Sequence, residues 1–175
     1  VYLLALPKIH IEDVYVKPLV SKNMLEIEVT VQNQTAKKAE IQLQGDIREW
    51  MNRAGTDINS APVPDWTLGN EALSVAPAKV SVAAGTSQKV TLQVPVGKDV
   101  LKYWTPEHPN LYALLLSVKN QKQAVDTKYE RFGWREWTLQ GTTQCLNGEP
   151  YALHGDSWHF MGIPQMTRRY ACLLY

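Results

Sequence analysis

The sequence predicts an all-β protein, and three observations carry that expectation. Leu25, Ile27, Val29 and Val31 alternate with Glu26, Glu28, Thr30 and Gln32, the two-residue period of a strand with one face in a core and one in water. The same alternation returns in several short, separately bounded runs. No helical period is convincing anywhere up to Leu139.

Taken in order, Ile9 and Ile11 and then Val14 and Val16 keep the two-residue period only if Glu12-Asp13 inserts one extra residue, so the first strand is expected to carry a β-bulge. The clear strand through Leu25 and Val31 follows and ends at the turn residues Asn33-Gln34-Thr35. Ile41-Gln42-Leu43 reads as a third strand. Residues 50–77 then carry Gly55, Gly69, Pro62, Pro64 and Pro77 without a sustained period, which predicts a long loop, with Trp66 pinning it to the rest of the domain. Gly85-Thr86 is a turn, Val90-Thr91-Leu92-Gln93-Val94 a strand, and Tyr112 through Val118 another, with Leu114 and Leu116 inward. A turn at residues 120–123 leads to the last strand. About seven antiparallel strands up to Leu139 predict a β-sandwich of immunoglobulin type, residues 1–139.

The remainder, residues 140–175, changes character. Asn147-Gly148 between Cys145-Leu146 and Pro150-Tyr151-Ala152-Leu153 signals a β-hairpin. Pro164 stands at the first position of a short helix whose Met166, Tyr170 and Leu173 or Leu174 share one face. That helix meets no stop signal before Tyr175, and the first residues carry neither a basic leader nor a starting Met. The expectation is therefore a piece of a longer chain, ending inside the start of another domain. An apolar helix face left uncovered in this way is expected to drive self-association.

Composition removes several function classes. The 175 residues carry 18 Lys+Arg against 17 Asp+Glu, a net charge of +1 that offers no attraction to nucleic acid or an anionic membrane surface. With 45% hydrophobic and 20% charged residues the chain can bury a core, which excludes whole-chain disorder. No apolar run approaches the about 18 residues of a membrane helix. Cys145 and Cys172 are too few for a disulfide framework and lack zinc-ligand spacing. No GxSxG, GxGxxG, P-loop or HExxH occurs, so no cofactor or metal is expected. The compartment is not indicated.

The densest polar cluster is His154-Gly155-Asp156-Ser157-Trp158-His159, between the hairpin and the helix. Side chains at such a strand-to-helix junction contact substrate in α/β barrels, and His, Asp and Trp suit sugar hydroxyls and ring faces. Capping of loop backbone by the imidazoles is the other reading. His10 and His108 receive no role. Arg131 and Arg135, bracketing Phe132-Gly133-Trp134 with Glu130 and Glu136 outside them, predict a salt-bridged strand face, and Cys145 a small core-facing residue. A different class of function would make the sandwich a carbohydrate-binding or adhesion module, with Trp50 and Trp66 as a stacking platform on the long loop.

Three ordered segments sharpen the picture: Tyr103-Trp104-Thr105-Pro106-Glu107-His108-Pro109-Asn110-Leu111-Tyr112, then Asp126 and Phe132-Gly133-Trp134-Arg135-Glu136, then Leu146-Asn147-Gly148-Glu149-Pro150. From about Trp104 to His159 the series resembles glycoside hydrolase family 2, whose pattern runs W-x-P-x-x-P-x-L-Y, F-G-F-R-E, L-N-G-K-P and R-G-x-N-x-H. The resemblance implies the central immunoglobulin-like sandwich of a β-galactosidase- or β-glucuronidase-like enzyme, followed by the first hairpin and helix of a TIM barrel. It implies hydrolysis of terminal β-glycosides by two glutamates on later barrel strands, beyond Tyr175, so that this polypeptide alone is expected to be inactive. The implied partners are a carbohydrate substrate and other domains of the same chain. Of the polar cluster, His159 matches a family residue lining the sugar subsite, while His154, Asp156 and Trp158 are placed there by position. His154 stands where the family carries Arg, Ser157 where it carries Asn, and Phe160 where many members carry an acidic residue. Within the motifs, the prolines set the turn into a strand, Tyr112 anchors the sandwich corner and Gly133 permits a bend.

Overall fold

The computed structural model describes residues 5–52, 66–120 and 123–153. Among them the regular elements are strands, apart from one 3-10 turn at Val20–Lys22. In chain order the strands are β1 (Ile9–Leu19), β2 (Met24–Asn33), β3 (Ala39–Asn52), β4 (Trp66–Val82), β5 (Thr86–Pro95), β6 (Leu111–Asn120), β7 (Gln123–Phe132), β8 (Trp137–Gln140), β9 (Thr143–Leu146) and β10 (Glu149–Pro150). They form three antiparallel sheets, ordered β1-β2-β5, β4-β3-β6-β7 and β10-β9-β8. The helix expected from Pro164 onward lies outside the described residues. No described helix is long and apolar enough to cross a membrane.

The two larger sheets share one core. Leu25, Ile27, Val29 and Val31 on β2 are fully buried against Leu43 and Ile47 of β3 and Leu114, Leu116 and Val118 of β6. Removing each such side chain from water stabilises the fold by about 1.5–3 kcal/mol. The expected bulge is present, with the β1–β2 register slipping between Ile11 and Asp13. There the opposite sheet reaches across: the Ile11 N–H donates to Asp126 Oδ2 at 2.7 Å, and Lys128 Nζ donates to the Glu12 carbonyl at 2.9 Å. β7 and β1 are thereby stitched along one side of the sandwich.

The long loop expected over residues 50–77 is corrected in part. β3 runs through Trp50 to Asn52, and β4 occupies 66–82. The pairing of β3 with β4 slips three times, at Leu43/Gly45, Ile47/Arg48 and Arg48/Trp50, so inward and outward positions lose their two-residue spacing. Bulges also bend a strand pair. Trp66, at the start of the outermost strand β4, comes within 5.5 Å of Tyr129 on the opposite outermost strand β7, so this end of β4 bends toward β7. Residues 53–65, within the expected loop, lie outside the described residues.

Asn33, expected as a turn residue, is instead the buried last residue of β2. Its amide nitrogen faces the carbonyls of Lys37, Val82 and Ala83 at 2.9, 3.1 and 3.1 Å, and its oxygen accepts from the Thr35 N–H at 3.0 Å. A buried amide is tolerated because each of its polar groups has a partner.

Candidate functional site

The three motif segments, far apart in sequence, meet at one end of the sandwich. The first is a closed excursion. Thr105 and His108 exchange backbone bonds at 3.1 and 3.2 Å, and Asn110 Nδ2 donates to the Tyr103 carbonyl at 2.8 Å. The Lys102 N–H donates to the Tyr112 hydroxyl at 2.8 Å, so the corner role expected of Tyr112 is realised. Burial pushes that phenol above its ordinary pKa, only partly offset by the Lys102 bond, and it stays neutral. In the same turn the Glu107 carboxyl is held below its usual range, first by its own backbone N–H and then by Thr105.

The second segment lies against the first. The Trp104 N–H donates to the Trp134 carbonyl at 3.0 Å. A Cβ on Gly133 would sit 2.9 Å from Trp104 Cβ and Cγ, so the glycine is required by the close approach of this indole. The Arg135 guanidinium lies 4.1 Å over the Trp104 ring, and Arg131 5.1 Å over Trp50. The salt-bridged face expected of Arg131 and Arg135 is thus replaced by cation–π contacts. Glu136 accepts instead from the Ser21 N–H at 2.7 Å.

Asn147 joins the third segment to both others. Its Oδ1 accepts from the Glu136 N–H at 3.0 Å, its Nδ2 donates to the Trp104 carbonyl at 3.2 Å, and its own N–H donates to the Glu136 carbonyl at 2.9 Å. Asn147 and Gly148 have φ of 55° and 89°, the paired positive values of a tight hairpin between β9 and β10. Cys145 is fully buried, as expected of a small core-facing residue. The Asn-Gly signal reveals the turn; the side-chain role of Asn147 has no local signature, because its partners are 11 and 43 residues away.

Among the described residues the junction engages Tyr112, Glu136 and Asn147 with backbone. Among the described residues no three His, Cys, Asp or Glu side chains are placed to hold a metal. His10 is buried with Nδ1 2.8 Å from the Pro7 carbonyl, and His108 is exposed in its turn. His154, Asp156, Trp158 and His159 lie outside the described residues. Trp50 and Trp66 are on strands, with centroids 4.1 Å apart and planes 19° apart. Each covers a face of the other, which removes those faces from the stacking platform considered above and fits the pinning role of Trp66.

Known proteins are similar to this chain in sequence and in fold. The model of glycosyl hydrolases family 2 matches residues 9–135. A β-galactosidase of Priestia megaterium is 26% identical over 160 residues, covering 91% of this chain and 14% of that protein. A β-galactosidase of Streptococcus thermophilus is 25% identical over 167 residues, covering 91% and 13%. The fold is similar to that of a Bacteroides uniformis β-glucuronidase crystal structure, with a TM-score of 0.63 and 24% identity over 97% of this chain and 20% of that one. This chain therefore spans about a seventh of the length of these β-galactosidases. With the match running from the first strand to the Arg135 that covers Trp104, the chain belongs to glycosyl hydrolases family 2.

Proposed function

We propose that this chain is the immunoglobulin-like brace of a glycosidase that hydrolyses terminal β-glycosides, with residues 1–139 as the sandwich and 140–175 as the entry to the catalytic barrel. The observation carrying this reading is the junction, where Asn147 ties the small sheet to Trp104 and Glu136. A brace needs a rigid exit, and a side chain bonded at both ends of its amide provides one. Trp137 and Leu139 of the small sheet, with Leu153 beside them just after it, are 44%, 70% and 62% exposed and form an apolar face for other domains of the same protein.

In this reading the chemistry resides in two carboxyls outside this polypeptide. A retaining mechanism places them about 5 Å apart, one protonating the leaving oxygen and the other forming the glycosyl-enzyme intermediate. His159 and His154 contact sugar hydroxyls beside the scissile bond, with Asp156 and Trp158 completing the subsite. The brace holds that wall in position. The 175-residue chain is accordingly expected to show no turnover of nitrophenyl β-galactoside or β-glucuronide. Turnover that survives both Asp156→Ala and His159→Ala would place the catalytic pair inside the chain and contradict this assignment.

A further inference from the structure

The outer face of the four-stranded sheet carries a feature that the brace role does not use. Across β4, β3, β6 and β7 lies a 420 Å³ groove lined by Gln44, Asp46, Glu71, Ser74, Ser117 and Thr127. A 330 Å³ depression continues it along β3 past Gln42, Lys79 and Lys119. Tyr129, two residues beyond Thr127 and paired with Leu115 of the groove, stands at the rim and is 56% exposed. Its neighbour Trp66 meets it at a 48° tilt, without stacking flat on it.

The polar groups are held in place before any ligand arrives. Asp46 accepts from Arg48 Nε and Nη2 at 3.1 and 3.2 Å, Glu71 Oε2 lies 3.9 Å from the same guanidinium, and the Ser74 hydroxyl donates to Glu71 at 2.6 Å. Asp46 Oδ1 and Oδ2 retain further lone pairs, and the Ser117 and Thr127 hydroxyls, 3.2 Å apart, can each donate and accept. Fixed acceptors, a fixed donor and amphoteric hydroxyls beside an open aromatic face match one ligand class: a sugar ring, with hydroxyls around its edge and an apolar face. Asp46 and Glu71 against Arg48 give the first part of the groove −2 + 1 = −1, and Lys79 and Lys119 against Glu40 give its continuation +2 − 1 = +1, so the whole groove is neutral and offers no net attraction to a uronic acid. The continuation along β3 favours a chain over a single ring.

We propose that this groove is an ancillary binding site for a neutral oligosaccharide, with Tyr129 as the stacking platform and Asp46, Arg48 and Glu71 as the hydroxyl clamp. The site keeps a polysaccharide against the enzyme while its end is processed elsewhere. The test is amide-shift mapping of the isotope-labelled 175-residue chain titrated with cellopentaose, xylopentaose and a galactan pentasaccharide, with an oligogalacturonate as the charged comparison. At least one neutral probe is expected to shift amides around Asp46, Glu71, Ser117 and Tyr129. Tyr129→Ala and Asp46→Asn are each expected to weaken that binding about tenfold, while Tyr15→Ala, at a 57% exposed tyrosine on the other sheet, leaves it unchanged. The proposal is overturned if no neutral probe shifts the groove at about 10 mM, if the oligogalacturonate binds as tightly, or if both groove substitutions leave the affinity intact.

Discussion

At single residues, two close approaches and one hydroxyl decide the outcome of substitution. A Cβ on Gly45 would lie 2.1 Å from the Leu115 carbonyl oxygen, a backbone atom on the neighbouring strand. Gly45→Ala must part β3 from β6 at the bulge, and a loss of about 1–3 kcal/mol is expected in urea denaturation. Gly133→Ala meets a side chain instead, so its effect is to displace the Trp104 indole, readable as a change in near-ultraviolet circular dichroism. Tyr112→Phe keeps the buried ring and removes the acceptor of the Lys102 N–H. That amide lies near solvent, so the expected loss is about 1 kcal/mol, measured by the same denaturation.

Among the strands, legibility tracks regular burial. β2 and β6 were readable because one face of each is wholly inside, and the bulge in β1 because the alternation breaks by a single residue. β4 was not, because three register slips leave its 17 residues without a repeat. At the junction, the motif strings pointed to the family and to Tyr112, whereas the contacts of Arg135, Glu136 and Asn147 depend on segments that meet only in space. The outward face of β2 has its own pH dependence. Lys17 on β1 and Lys89 on β5 both bond Glu28, which holds its carboxyl below the ordinary value of 4.5, with Lys17 the larger cause. A depressed folded value means that this contribution is full above the unfolded value and fades as the pH falls through the folded one. Glu28→Gln should therefore lower Tm near neutrality and leave it unchanged once the pH is well below that range, as followed by thermal melts across acid pH. Equal losses at both ends would show that the lysine contacts are not responsible.

For the whole molecule, the larger sheets share a core and are stitched at the β1–β7 side, while the small sheet joins them through the junction. Asn147→Gly removes the side-chain bonds without straining the positive φ. It is expected to speed exchange of the Glu136 amide about tenfold, with β2 and β6 amides unaffected; a uniform change would indicate global destabilisation instead. The apolar face of the small sheet, with Met166, Tyr170 and Leu173 beyond it in sequence, predicts concentration-dependent self-association of this chain in light scattering. The pinned amide has one more consequence, for chemical ageing. An Asn-Gly pair loses ammonia when the glycine nitrogen attacks the asparagine Cγ and closes a succinimide ring. With Oδ1 and Nδ2 of Asn147 both tethered, the amide cannot turn freely toward that nitrogen, so deamidation here is expected to quicken once the two parts come apart, read as a mass change at Asn147.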